Sequence, residues 1–302
     1  FFYAQQTQLW IFFKVPKSVI YQEVGENLDN LGFDLASFED DDVGYVALKP
    51  MVFMAEFGSQ TAAIPGTSAS TEVEFTVLVR PKGERQTQRI TFSDYLNGRA
   101  TSAKIGQLRL DVLCDGDVAV AAGRAKFGEH KFLGSFEYSY PTPNQVVGNP
   151  KPFSLDMTAY TFNGAGLASK KMFRIQASLQ DARPTSATFS PELLFSAFPP
   201  EPQAGITQQS VGEYRYFDSR NFSAFSANRT KFKLTYGDAE GATALKPVQP
   251  FGDGQPIPGS ESWPKDMVSQ MKAIIGDRQP AGFLLYLTPP AEYETNPFIL
   301  NP

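Results

Sequence analysis

Thr71–Pro81 reads TEVEFTVLVRP, and its side chains alternate in character. Val73, Phe75, Val77 and Val79 share one face, with Glu72, Glu74 and Thr76 opposite. A period of two is the signature of a strand with one apolar face. The same period recurs on both sides of this segment. Leu108, Leu110, Val112 and Cys114 alternate with Arg109 and Asp111. Phe132, Phe136, Tyr138 and Tyr140 run opposite Lys131, Ser135, Glu137 and Ser139, and Phe232, Leu234 and Tyr236 alternate with Lys231, Lys233 and Thr235. Leu9–Val15, Tyr45–Phe57, Asp117–Ala122 and Phe283–Thr288 read as further strands.

Helices are few. Ser18–Leu31 has helical spacing despite Gly25. In Ser262–Ile275, Ser262 is placed to cap, Pro264 and Asp266 suit the first turn, and Gly276 can end the helix. Its stripe of Met267, Met271, Ile274 and Ile275 reads as a core face. The Pro/Gly-rich stretches around 141–152, 198–210 and 237–260 read as loop insertions, because strand patterns continue on either side. The expectation is one domain over 1–302, mainly β. Its antiparallel sheet would be closed or nearly closed into a barrel, with a few peripheral helices.

Composition narrows the chemistry. The 302 residues carry a net charge of -5, and no Lys/Arg run exceeds the pair Lys170–Lys171, which argues against a nucleic-acid partner. No stretch approaches the roughly 20 apolar residues of a membrane helix. A single Cys and a single His disfavour a zinc site. Glu39–Asp42 lacks the alternating spacing of a calcium loop and reads as a solvated acidic turn. No GxSxG elbow is present, and Cys114 lies in an apolar row that suits a buried, inert thiol. Neither a metal nor an organic cofactor is expected. The lack of disulfide partners fits a reducing, cytoplasmic location, although the chain begins at Phe1 and is compatible with a removed presequence.

Lysine remains as a nucleophile. Its amine is protonated at neutral pH unless burial or a nearby cation lowers the pKa from about 10.4. Lys131 has apolar neighbours in Phe127, Phe132 and Leu133, and basic ones in Arg124, Lys126 and His130.

The segment Asp115–Gly134, DGDVAVAAGRAKFGEHKFLG, resembles the signature of the acetoacetate decarboxylase family. In that family an acidic turn leads into an apolar strand ending Gly-Arg, followed by an aromatic or small residue, Pro and two lysines. The first lysine forms a Schiff base, the general strategy of an activated amine nucleophile, and it falls on Lys131. Gly123 and Arg124 keep the register; His130 replaces the proline and Phe132 the second lysine. Glu72 matches the family's functional glutamate upstream, Lys14 stands where an early strand carries a substrate-side arginine, and Ala281–Tyr293 is similar to the closing strand.

The resemblance implies a lyase, a carboxy-lyase acting on a 3-oxo acid through an iminium on Lys131, with Glu72 as proton donor. Lys14, Arg124, His130 and Phe132 would line the substrate, and the chain would form a homo-oligomer. Two rival readings stay open. One uses the same lysine for aldol, dehydration or cyclisation chemistry on a larger oxo acid. The other is a non-catalytic barrel that binds a hydrophobic ligand.

Overall fold

The computed structural model describes residues 2–56, 67–83, 90–96, 105–116, 119–120, 123, 129–139, 153–162, 168–179, 183–185, 192–196, 211–217, 224–226, 231–237, 267–288, 292–294 and 298–299. The first half runs β1 (Phe2–Pro16), α1 (Lys17–Leu31), β2 (Phe33–Leu35), β3 (Val43–Glu56), β4 (Thr67–Pro81), α2 (Phe92–Leu96) and β5 (Gly106–Cys114). There follow β6 (Lys131–Ser139), β7 (Phe153–Phe162), β8 (Ala168–Leu179), β9 (Arg183–Thr185), β10 (Glu192–Ser196), β11 (Val211–Phe217), β12 (Ala224–Ser226) and β13 (Lys231–Tyr236). The chain closes with α3 (Met267–Ile274), β14 (Pro280–Thr288), β15 (Glu292–Glu294) and β16 (Phe298–Ile299). The expected insertions, apart from Gly237, lie outside the described residues, as do Ser262 and Arg124.

One mostly antiparallel sheet of 14 strands dominates: twelve run in the order β13-β8-β7-β6-β5-β10-β11-β15-β1-β3-β4-β2, β14 pairs with β1 and β16 with β11 off this path, and an additional β4–β5 pairing curls the sheet into a nearly closed barrel. The mainly-β expectation holds. Two pairings are parallel, β5 with β6 and β5 with β10. A parallel neighbour cannot be reached by a tight hairpin, so the chain between β5 and β6 must cross over. This corrects the strand expected at Asp117–Ala122: Ala119, Val120 and Gly123 are helical, and the Val120 N–H donates to the Gly116 carbonyl at 2.9 Å.

The sheet is covered on both sides. On one, Val73, Phe75, Val77 and Val79 join Leu9, Ile11, Phe13 and Val15 of β1 in the main core. Helix α1 brings Ile20, Val24 and Leu28 to that core, and α3 brings Met267, Met271 and Ile274. Gly32, at φ 75°, ends α1 in a left-handed turn that donates back to Asp29 and Leu28 carbonyls. On the other side sits an aromatic cluster that absorbs part of the high Phe content. There Phe12 and Phe92 meet edge-on at 5.4 Å between centroids, and Tyr45 stacks on Phe92 at 3.8 Å. The charged face of β4 extends from this cluster, and all nine residues of β5 are buried.

Candidate functional site

Strand register builds the site. Directly opposed residues on paired strands share a face. Glu74 of β4 lies between Lys49 of β3 and Val112 of β5, and Val112 is the partner of Lys131 on β6. In the next row Glu72 lies between Met51 and Cys114. Lys49, Glu74 and Lys131 therefore project from one face, joined by Glu72 and Cys114.

Arg109 arrives by a device that alternation alone does not disclose. The β4–β5 register shifts between Phe75, opposite Asp111, and Thr76, opposite Arg109, leaving Leu110 as the extra residue of a bulge. The bulge reverses the parity of the strand beyond it. Cys114 and Val112, expected with Leu108 on the core side, instead face the charged side with Arg109. Asp111 turns to the core side.

The result is a buried chain of alternating charge. Lys49 contacts one oxygen of Glu74, and Arg109 lies 3.9 Å from the other. Arg109 also contacts Glu129 Oε1, while Glu129 Oε2 is 3.2 Å from Lys131 Nζ. Lys131 Nζ is in turn 2.6 Å from Glu72 Oε2. Every one of these side chains is at most 7% exposed. Lys49, Arg109 and Lys131 balance Glu72, Glu74 and Glu129, which is what allows six charges to leave water together. The Lys49 ammonium also lies 5.0 Å from the centroid of the Trp10 ring.

The electrostatics differ from the sequence expectation. Burial alone would lower the Lys131 pKa, but the carboxylates of Glu129 and Glu72 outweigh it and hold the amine above its ordinary value. Burial pushes the Glu72 carboxyl up to about 7, against the lowering pull of Lys131 and with further upward pressure from Glu129 and Glu74. An amine and an acid with this contact can exchange a proton without moving net charge through the interior. Burial likewise raises the Cys114 thiol, in keeping with an unreactive sulfur.

The glycines of the sequence signature have structural causes. A Cβ on Gly123 would run into the Glu129 carboxylate and stand 2.7 Å from Lys131 Cδ. The Gly123 carbonyl accepts the Glu129 N–H at 3.0 Å. A Cβ on Gly116 would strike the Ser70 hydroxyl. The neighbouring Asp115 carboxylate accepts the Thr71 N–H at 2.6 Å, tying the acidic turn to the residue before Glu72.

Of the site residues expected from the sequence, the structure brings Lys131 and Glu72 together and sends three elsewhere. Lys14 is 49% exposed at its side chain and lies 3.4 Å from Asp40. His130 Nδ1 sits 2.5 Å from Asp111 Oδ1 on the core side. Phe132 belongs to the main core, facing away from the amine because successive strand residues point to opposite sides. Lys49, Glu74, Arg109 and Glu129 were not singled out. Glu74 was readable as a neighbour of Glu72 on one strand face; Arg109 was hidden by the bulge, and Glu129 by its place in an irregular approach to β6.

A hollow of about 670 Å³ opens on the sheet between β7, β8 and β13, with Asp156, Gln176, Lys231 and Lys233 in its lining. Its Asp156 is held in a two-point pair by Arg174, at 2.7 and 2.6 Å, and the groove carries no buried ionisable cluster among its described residues. Among the described residues no group of His, Cys, Asp or Glu is arranged to hold a metal ion, and no helix is long and apolar enough to cross a membrane.

No protein-family model matches the chain, and no curated protein matches its sequence. Solved structures do match its fold. The enduracididine biosynthesis enzyme MppR, complexed with pyruvate, aligns with a TM-score of 0.54 at 11% identity, over 99% of this chain and 90% of that one. Another structure of MppR holds the condensation product of pyruvate and imidazole 4-carboxaldehyde. Acetoacetate decarboxylase from Legionella pneumophila subsp. pneumophila str. Philadelphia 1 gives 0.52 at 10% identity, over 99% and 86%. An acetoacetate decarboxylase-like enzyme from Sphingomonas wittichii RW1 gives 0.51 at 11%, over 99% and 92%. The chain thus has the acetoacetate decarboxylase-like fold along nearly its whole length.

Proposed function

We propose that the protein is a Schiff-base-forming lyase that decarboxylates a 3-oxo acid through an iminium on Lys131. The observation that carries this reading is the contact of a buried lysine amine with the Glu72 carboxylate, on a fold similar to that of acetoacetate decarboxylase.

Glu72 takes a proton from the Lys131 ammonium, and the neutral amine adds to the substrate ketone. Loss of water from the carbinolamine leaves a protonated iminium. The bond between the carboxylate and the adjacent carbon then breaks, its electron pair neutralising the iminium nitrogen as carbon dioxide departs. The enamine carbon takes up one proton, and hydrolysis frees the ketone and the lysine. A carboxyl titrating at about 7 suits the proton transfers at neutral pH. Arg124, expected beside this segment, would hold the substrate carboxylate loosely, since a tight grip would stabilise the ground state.

The second reading is aldol or dehydration chemistry through the same iminium. It is favoured by the likeness to MppR, whose structures hold pyruvate and a condensation product of pyruvate.

Borohydride reduction in the presence of acetoacetate, pyruvate and longer oxo acids tests the proposal. An adduct mass on the Lys131 peptide together with carbon dioxide release supports decarboxylation. An adduct without carbon dioxide moves the assignment to the second reading. Absence of any adduct across the panel, or turnover surviving Lys131→Ala, rejects both.

A further inference from the structure

We propose that Glu129, fixed by Arg109, is the permanent counter-ion of the iminium on Lys131, so that Glu72 alone of the two carboxylates carries protons. This rests on the Schiff-base reading of the same site and adds to it a residue that neither sequence alternation nor the family signature marks.

An ammonium and a ketone combine to give a protonated iminium and one water, and the positive charge is unchanged. The number of N–H groups falls from three to one. Lys131 as an ammonium serves two carboxylates, Glu72 at 2.6 Å and Glu129 at 3.2 Å. As an iminium it can donate to only one of them, so one carboxylate must be released.

Three features hold Glu129 in place. Its Oε1 contacts Arg109, whose guanidinium stays charged at any working pH. Its backbone N–H is bound by the Gly123 carbonyl. Its Oε2 occupies the space that the missing side chain of Gly123 leaves open, beside Lys131 Cδ. Arg109 is a positioning residue, itself flanked by Glu74, which Lys49 neutralises from the far side. Glu129 therefore stays close to the nitrogen in ammonium and iminium alike. It offsets the charge that would otherwise stand alone in a buried site.

Glu72 is held by Lys131 and, among the described residues, pairs with no arginine, and it is the carboxylate that can let go. Once released it accepts a solvent proton, which supplies the one proton that decarboxylation consumes. Burial, which favours the neutral carboxyl, supports this division of roles.

The test uses the full chain and the variant Glu129→Gln, with two readouts, the first of which, a pH midpoint, a merely structural role would leave in place. The first is the pH dependence of Lys131 acylation by acetic anhydride, followed by mass spectrometry of its peptide. The second is the fraction of Lys131 trapped by borohydride with acetoacetate or pyruvate. Loss of the counter-ion lowers the amine pKa, so the acylation midpoint falls by about one pH unit or more, while the trapped iminium at pH 7 falls about tenfold. Glu129→Asp, which keeps the charge but draws it back, shifts both readouts in the same directions by less, and decides the matter should the Gln variant fail to fold. An unmoved acylation midpoint, or an undiminished adduct, overturns the assignment. Absence of adduct in the unsubstituted protein instead defeats the Schiff-base reading, and the acylation midpoint then still reports whether Glu129 controls the amine.

Discussion

Lys131 and Glu72 stand on strands that do not pair with each other, yet Nζ and Oε2 are 2.6 Å apart. Strand β5 lies between them, and its residues there, Val112 and Cys114, are small enough for the lysine to reach across. With burial raising Glu72 to about 7, the carboxyl changes protonation near neutral pH. Turnover, measured as carbon dioxide release or as adduct formation rate, should show a limb with a midpoint near that value. Glu72→Gln should remove the limb and lower the rate by about 10²- to 10⁴-fold, the range for loss of a general acid–base.

The same pair sets a pH-dependent stability. Lys131→Met leaves Glu72 and Glu129 buried together without their shared cation. Glu72 already has a raised pKa, and loss of the lysine, which pulls it down, raises it further. A carboxyl whose folded pKa lies above its unfolded one stabilises the fold below about pH 4.3, and that contribution is lost as pH rises through the folded value. The substitution should therefore cost about 3–5 kcal/mol at pH 8 and clearly less at pH 5. Urea unfolding at the two pH values measures the difference; an equal cost at both would contradict the buried pair.

Gly123→Ala probes the packing behind the amine. The new methyl collides with the Glu129 carboxylate and with Lys131 Cδ, both buried. A destabilisation of about 1–3 kcal/mol is expected from overpacking. Because the strained groups are the reactive ones, adduct formation should fall by more than the stability loss explains. Thermal melting and borohydride trapping on the folded protein separate the two effects.

The fold was legible where one face of a strand is apolar. Val73, Phe75, Val77 and Val79 mark β4, and the spacing of Ile20, Val24 and Leu28 fits the helix read over Ser18–Leu31. Lys131 and Glu72 were marked by the resemblance to the acetoacetate decarboxylase family, and the contacts of Gly116 and Gly123 show what the glycines of that stretch make room for. The rest depends on long-range geometry. A bulge at Leu110 swaps the faces of Asp111 and Cys114, and no local pattern announces it. Polar alternation also reads as solvent exposure, so Glu74 and Lys49 were hidden by the aromatic layer that covers their face of the sheet. Lys14 illustrates the converse. It lies on an early strand, with its side chain paired to Asp40 at the surface.

That contrast between two lysines gives the sharpest comparison. Lys14→Ala removes an exposed pair with Asp40, worth about 0–1 kcal/mol, and should leave adduct formation unchanged. Lys49→Met removes the partner of the fully buried Glu74 and should cost about 3–5 kcal/mol. Its effect should extend beyond stability, because Glu74 without Lys49 draws on Arg109, 3.9 Å away, and weakens the hold of Arg109 on Glu129. The double substitution Lys49→Met with Glu74→Leu removes both charges and should recover much of the stability. A double-mutant cycle read by urea unfolding should then show strong non-additivity. Additive losses would mean that Lys49 and Glu74 act independently, and the chain of charge leading to Lys131 would be broken at its first link.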